Sequence, residues 1–152
     1  MKEFFKVTDL KKVLGYASDF PRVETEEVPL SEAAGRVLAQ DIHANVDLPD
    51  FKRSTMDGFA VRASSTFGAS EANPAYLSVI GSVSMGESPS FSMGIGQAAR
   101  ISTGGMLPEG ADSVVMIEHT EAVDPTSIEV YRSVAPGQNI LLKGEDISKN
   151  AV

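Results

Sequence analysis

The chain has 152 residues, with 21 Asp and Glu against 13 Lys and Arg, a formal net charge of −8, and no cysteine. A hydrophobic content of 42% supplies a real core and excludes wholesale disorder, and the length allows one ordinary domain or two small ones. The acidic balance and the lack of any basic run argue against nucleic-acid or anionic-membrane binding, and the lack of cysteine removes disulfides, thiolate nucleophiles and most zinc sites.

In chain order, residues 1–6 show no apolar stretch followed by a small-residue cleavage site, so no signal peptide is expected. Thr8 is the expected cap of a first helix, in which Leu10, Val13, Leu14 and Ala17 form one apolar stripe until Pro21 ends the pattern. Ser31 is the expected cap of a second, short helix through Glu32, Ala33 and Ala34, closed by Gly35 in a left-handed conformation. Residues 36–45 read as extended, with Leu38, Gln40 and Ile42 on one face.

After Asn45 the texture changes to short β-type runs at 59–61, 77–80, 99–101, 113–117 and 128–131, punctuated by glycine and proline. This pattern predicts a compact β barrel or sandwich, with 113–117, apolar on both faces, as its central strand and 64–74 as a surface loop. No apolar run approaches ~18 residues, so no membrane span is expected. With no Asn-x-Ser/Thr sequon, these features favour the cytoplasm. The run Lys143-Gly144-Glu145-Asp146-Ile147 reads like the middle of a protein, and a chain that continues beyond Val152 is expected.

Common catalytic signatures are missing: neither a Gly-x-x-x-x-Gly-Lys-Ser/Thr phosphate loop nor a Gly-x-Ser-x-Gly elbow occurs. The stretch Gly94-Ile95-Gly96-Gln97-Ala98-Ala99 meets the loose dinucleotide pattern, but lacks the strand before and the helix after, and reads as a turn entering a strand. His43 and His119 lie far apart with no ligand spacing and read as ordinary surface or loop residues.

Two loops carry more. Residues 48–61 pack charged, hydroxyl and carboxylate groups into a loop pinned by an apolar strand, and Asp57-Gly58 is also a favoured turn pair. In Ser102-Thr103-Gly104-Gly105-Met106, paired glycines are expected to leave backbone N–H groups uncovered beside the Thr103 hydroxyl, as an oxyanion cradle requires. With no cysteine or paired histidine, Asp57, Glu118 and Asp146 are the candidates for a hard, oxygen-seeking Mg²⁺.

These residues resemble a known family. Ser54-Thr55-Met56-Asp57-Gly58-Phe59-Ala60-Val61-Arg62 is similar to the Ser-x-Met-Asp-Gly-aromatic-Ala-Val segment of the MoeA/gephyrin-type molybdopterin molybdenumtransferases. Arg100-Ile101-Ser102-Thr103-Gly104-Gly105 resembles the family's Arg-Ile-x-Thr-Gly-Ala, with Gly105 in place of the frequent alanine, and the run 107–116 looks like its continuation. Gly137-Gln138-Asn139-Ile140, Gly144-Glu145-Asp146-Ile147 and, upstream, Ala34-Gly35-Arg36-Val37-Leu38 complete the set, in order over nearly the whole chain.

The resemblance implies an α+β fold, mostly β: a compact barrel-like domain over 46–137, and a smaller extended domain with N-terminal helices over 1–45 and 138–152. It implies molybdenum cofactor biosynthesis, in which molybdate is inserted into adenylated molybdopterin with release of AMP and Mg²⁺ assists. By matching motif positions, Asp57, Thr103 and Asp146 are expected in catalytic roles, with Asp57 and Asp146 holding the metal or orienting water and Thr103 bonding an anionic oxygen. Ser54, Gly104 and Gly105 are expected to bind substrate. The resemblance further implies a homodimer of longer chains, C-terminal pterin-binding domains absent from this chain, and a molybdopterin adenylyltransferase upstream. Without those domains the chain is expected to be inactive alone. A rival expectation is a non-catalytic dimerisation or scaffold module of the same descent.

Overall fold

The structure, a computed structural model, describes residues 7–152, so the reading of 1–6 lies outside the described residues. The chain divides into two units, 1–41 and 42–152.

In the first unit the expected helix is α1, Leu10–Gly15, the one α-helix among the described residues. Its cap is Asp9, not Thr8: the Asp9 carboxylate accepts the Lys11 N–H at 2.8 Å, and a carboxylate one residue nearer the first turn outcompetes the hydroxyl. The turn continues as a 3-10 segment over Tyr16–Asp19. The second expected helix is a single 3-10 turn, Leu30–Glu32, with Pro29 at its cap position and no side-chain cap bond. Gly35 takes the left-handed φ of 80° that the sequence called for. Residues 36–41 join no strand, and Arg36 instead reaches the Glu32 carbonyl and the Glu26 carboxylate.

The second unit is built on strands. After β1 (Arg53–Ser54) come β2 (Gly58–Val61), β3 (Ala75–Val83), β4 (Gln97–Ile101), β5 (Ser113–Met116), β6 (Thr120–Asp124), β7 (Ser127–Val130) and β8 (Ile140–Leu141). Six of them form one curled sheet in the order β5-β2-β4-β3-β7-β6, while β1 pairs with β8 in a two-stranded sheet and its Arg53 also bridges Met106. All neighbouring pairs are antiparallel except β3 and β4, which run parallel with a register shift between Val79 and Gly81. The fold is thus α+β and mostly β, as expected.

Strand β2 is buried on both faces. Phe59 and Val61 join Leu77, Ala98, Val115, Ile128 and Val130 in one core, while Ala60 joins Val83, Met93, Ala99, Ile101, Leu107 and Val114 in another. The two-residue period of a strand divides its side chains between the two cores. The expectation that 113–117 is the central strand is corrected: β5 lies at the edge of the sheet. Its apolar character arises because the edge is covered. Val114 donates its N–H to the Gln138 carbonyl at 3.1 Å and accepts from the Asn139 side-chain amide at 2.9 Å. Gly96, at φ 76°, makes the turn into β4 that the sequence indicated. The 64–74 loop is less exposed than its composition suggests. It begins in a 3-10 turn, Ala63–Thr66, and the buried Thr66 hydroxyl donates to the Ala63 carbonyl and accepts from Val134 N–H.

Beyond the contacts of Gln138 and Asn139 with Val114, the segment 138–152 pairs with 44–55. Ile147 pairs with Leu48, Ala44 donates to Ala151 at 2.9 Å, and Thr55 donates to Asn139 at 3.0 Å. By its contacts it falls in the second compact unit, Ile42–Val152.

Candidate functional site

Strand β2 fixes the start of the site. Gly58 sits where an added Cβ would lie 2.0 Å from the Val115 carbonyl oxygen, so only glycine lets β2 and β5 close here. The preceding residue, Asp57, is thereby held at the N-terminal end of β2 with its side chain exposed, and its carbonyl accepts the Ile117 N–H at 3.1 Å. One carboxylate oxygen of Asp57 accepts both the Thr103 N–H, at 2.7 Å, and the Thr103 hydroxyl, at 3.1 Å. These bonds, the backbone one first, hold the Asp57 carboxyl below its ordinary range, with desolvation opposing and the Arg100 charge adding to the lowering. The other oxygen of Asp57 has no partner among the described residues.

The two loops singled out in the sequence meet here. Ser54 N–H donates to the Gly105 carbonyl at 2.9 Å, and Gly104 N–H donates to the Ser54 carbonyl at 2.8 Å. The expected cradle of uncovered N–H groups is corrected by these bonds. Thr103 N–H is spent on Asp57, Gly104 N–H on Ser54, and Gly105 N–H on the Ser102 carbonyl at 2.8 Å. The glycines serve the loop's shape instead. Gly104 has φ 80° with Met85 against it, and a Cβ on Gly105 would meet the Ile101 side chain and the Ser102 carbonyl oxygen at 2.9 Å each. The anionic oxygen that Thr103 bonds in this structure is that of Asp57. Ser54 is buried, and its hydroxyl donates to the Met56 carbonyl at 2.5 Å and accepts the Met56 N–H at 3.2 Å. Its side chain closes the turn that presents Asp57.

Asp146 stands elsewhere in this unit. Its N–H donates to the Leu48 carbonyl at 3.0 Å, and its exposed side chain lines an open cavity of about 470 Å³ with Ile42, His43, Glu145 and Ile147. The flanking Asp47 carboxylate is the better anchored of the two. It accepts the Lys149 N–H at 2.8 Å and faces Lys143 at 3.4 Å, and these contacts, the N–H first, hold its carboxyl below the ordinary carboxylate range. Sequence reading missed Asp47.

The residues present do not make a metal site by themselves. Among the described residues no group of three or more His, Asp or Glu converges, so Asp57, Glu118 and Asp146 are not gathered around a common point. Mg²⁺ needs near-octahedral oxygen, and an ion held by one or two carboxylates takes its remaining ligands from water and substrate phosphates.

The family model for the MoeA N-terminal region (domain I and II) matches residues 6–152, and the chain belongs to that family. It is 44% identical over 132 residues to a molybdopterin molybdenumtransferase of Bacillus subtilis, covering 85% of this chain and 31% of that protein. It is 39% identical over 122 residues to molybdopterin molybdenumtransferase 2 of Mycobacterium tuberculosis, covering 80% and 30%. A solved structure of the molybdopterin biosynthesis MoeA protein of Pyrococcus horikoshii superposes with a TM-score of 0.84 at 42% identity, over 97% of this chain and 39% of that one. The chain thus spans about a third of the length of the relatives it matches.

Proposed function

We propose that this chain supplies the N-terminal half of a composite site that inserts molybdate into adenylated molybdopterin and releases AMP. The observation that carries the reading is the exposed Asp57 carboxylate, fixed through one oxygen by both donors of Thr103 and open at the other. A carboxylate held ionised and preoriented can accept a proton from, or align, a water or hydroxyl at the phosphate without reorganising during reaction. Thr103 acts as its positioning residue, and Ser54, Gly104 and Gly105 shape the loops that bring the two together. The enclosed hydroxyl of Ser54 and the spent N–H groups of the glycines favour this over direct substrate contact.

Asp146 belongs in this reading to the part of the site completed by the rest of the protein, since it shares no contact with Asp57. Magnesium belongs there too: Asp57 or Asp146 would contribute one oxygen each, with substrate phosphates and further chain supplying the rest. When bound, the ion would offset charge on the phosphates. We further assign to the intact protein a homodimeric state, a cytoplasmic location, and a molybdopterin adenylyltransferase as the supplier of its substrate. Among the described residues no helix is long and apolar enough to cross a membrane. The grouping of 1–45 with 138–152 as one domain, and of 46–137 as the other, is proposed for the intact protein. It is favoured by the bonds that Ala44 makes to Ala151 and Asn150, which lie outside the six-stranded sheet.

The test is Asp57→Ala in the intact protein, assayed with adenylated molybdopterin and molybdate. Loss of insertion with an unchanged melting curve is expected. An unimpaired insertion rate would remove Asp57 from the site and the reading with it.

A further inference from the structure

Asp57 and its loop account for a carboxylate, but the substrates of the proposed reaction are anions, and every backbone N–H of the 103–105 loop is already committed within the protein. A cationic donor must come from elsewhere. Arg100 lies directly opposite Phe59 in the β2–β4 ladder, so Asp57, two residues before Phe59, is its diagonal neighbour on the same face. Diagonal neighbours of an antiparallel pair are ~7–8 Å apart, within reach of a long side chain. On that face Phe59, Val61 and Ala98 belong to one core, and Arg100 continues their row past the core's edge into solvent.

Two further groups share this end. Ser82, the partner of Arg100 on β3, is exposed, and so is Ser102, two residues beyond Arg100. Among the described residues the Arg100 side chain forms neither a hydrogen bond nor an ion pair; the two ion pairs are Arg36 with Glu26 and Lys143 with Asp47. In a chain of net charge −8, an exposed guanidinium beside a fixed carboxylate and two serines, yet neutralised by none of them, keeps its donor fork for an incoming group.

We propose that Arg100 is the anion-holding residue of this site, binding through its guanidinium a tetrahedral oxyanion, either the phosphoryl group of the nucleotide or molybdate, next to the open oxygen of Asp57. A planar fork of donors matches two oxygens of such a group at once. Ser82 and Ser102 supply flanking hydroxyls. The charge of Arg100 also helps keep Asp57 ionised. The inference rests on the reading of the Asp57 loop as the reacting end of the site.

The experiment is calorimetric titration of the intact protein with AMP and, separately, with sodium molybdate, for the parent, Arg100→Gln, Arg100→Lys and Ser82→Ala. Insertion assays on Arg100→Gln and Asp57→Asn run alongside. Loss of a charge-assisted contact predicts roughly tenfold to hundredfold weaker binding of one anion in Arg100→Gln, with partial recovery in Arg100→Lys. A smaller loss is expected in Ser82→Ala. Weakening of AMP alone assigns the phosphoryl group, and weakening of molybdate alone assigns the metalate. Unchanged affinity for both anions in Arg100→Gln overturns the proposal, and so does full loss in Arg100→Gln and Arg100→Lys alike with an altered circular dichroism spectrum, which makes the role one of folding. Wild-type insertion by Asp57→Asn instead overturns the underlying reading, whatever Arg100 does.

Discussion

Two aspartates were picked from the sequence for the same reason, and the structure treats them differently. Asp57 precedes a strand buried on both faces, is locked by the Gly58 contact, and has one oxygen saturated by Thr103. Asp146 lies beside the isolated Leu48–Ile147 bridge, on the strip outside the six-stranded sheet, exposed, with only its backbone engaged. A carboxylate preoriented by a core can act without a partner arranging it. A carboxylate on a strip is oriented only when something else packs against it.

The largest effect that tests this contrast is on activity. In the intact protein Asp57→Ala should lower the insertion rate by roughly three orders of magnitude, the scale on which a preorganised charged contact acts. Neither Asp57→Ala nor Asp146→Ala should move the thermal midpoint appreciably, since both side chains are exposed. A stability loss in Asp57→Ala equal to that of a core mutant would make it a structural residue.

Next in size is a pair of glycine substitutions, read by urea denaturation. Gly58→Ala drives a Cβ into the Val115 carbonyl oxygen and should cost about 3 kcal/mol or more. Gly144→Ala, at φ 72° with the Asp47 carboxylate 3.2 Å away, meets a side chain able to move and should cost about 1–2 kcal/mol, mainly for the left-handed backbone. Equal costs would mean that the strip is as rigid as the sheet.

Smaller still is a titration. Thr103→Ala removes the hydroxyl but leaves the N–H, the larger cause of the lowered Asp57 value. Its carboxyl resonance should therefore shift to titrate at higher pH, yet stay below an ordinary aspartate. Full return to the ordinary value would assign the whole effect to the hydroxyl.

The smallest effect is the pH dependence of stability. Asp47 and Asp57 both have depressed values in the folded state, so the stability they lend is complete above the ordinary carboxylate range near ~4 and is lost as pH falls through the folded values. Asp47→Asn and Asp57→Asn should each flatten acid unfolding slightly, and in neutral buffer Lys143→Ala should barely move the urea midpoint because its ion pair is open to solvent screening on the lysine side.

Much of the fold was legible because strands of four or five residues between turn residues have few other options. The runs around Phe59, Val79, Arg100, Val115 and Glu129 all became strands. Strand β6 was not legible: Thr120-Glu121-Ala122-Val123-Asp124 is polar and exposed, and takes strand form from its pairing with β7. The place of β5 was misread because burial on both faces looks the same whether the neighbour is a strand or a covering loop. For the site, motif and residue type singled out Asp57 and Thr103, but nothing in the sequence showed that they bond each other across 46 positions.

By itself, the sequence determined the class of fold, the two loops that carry chemistry, and the glycines that permit them, because period, turn chemistry and residue type are local properties. Only the tertiary structure decided which donors remain free. The N–H groups of the 103–105 loop turned out to be spent and Arg100 uncommitted, because hydrogen-bond partners are assigned by what packs nearby in space, not by what stands next in the chain.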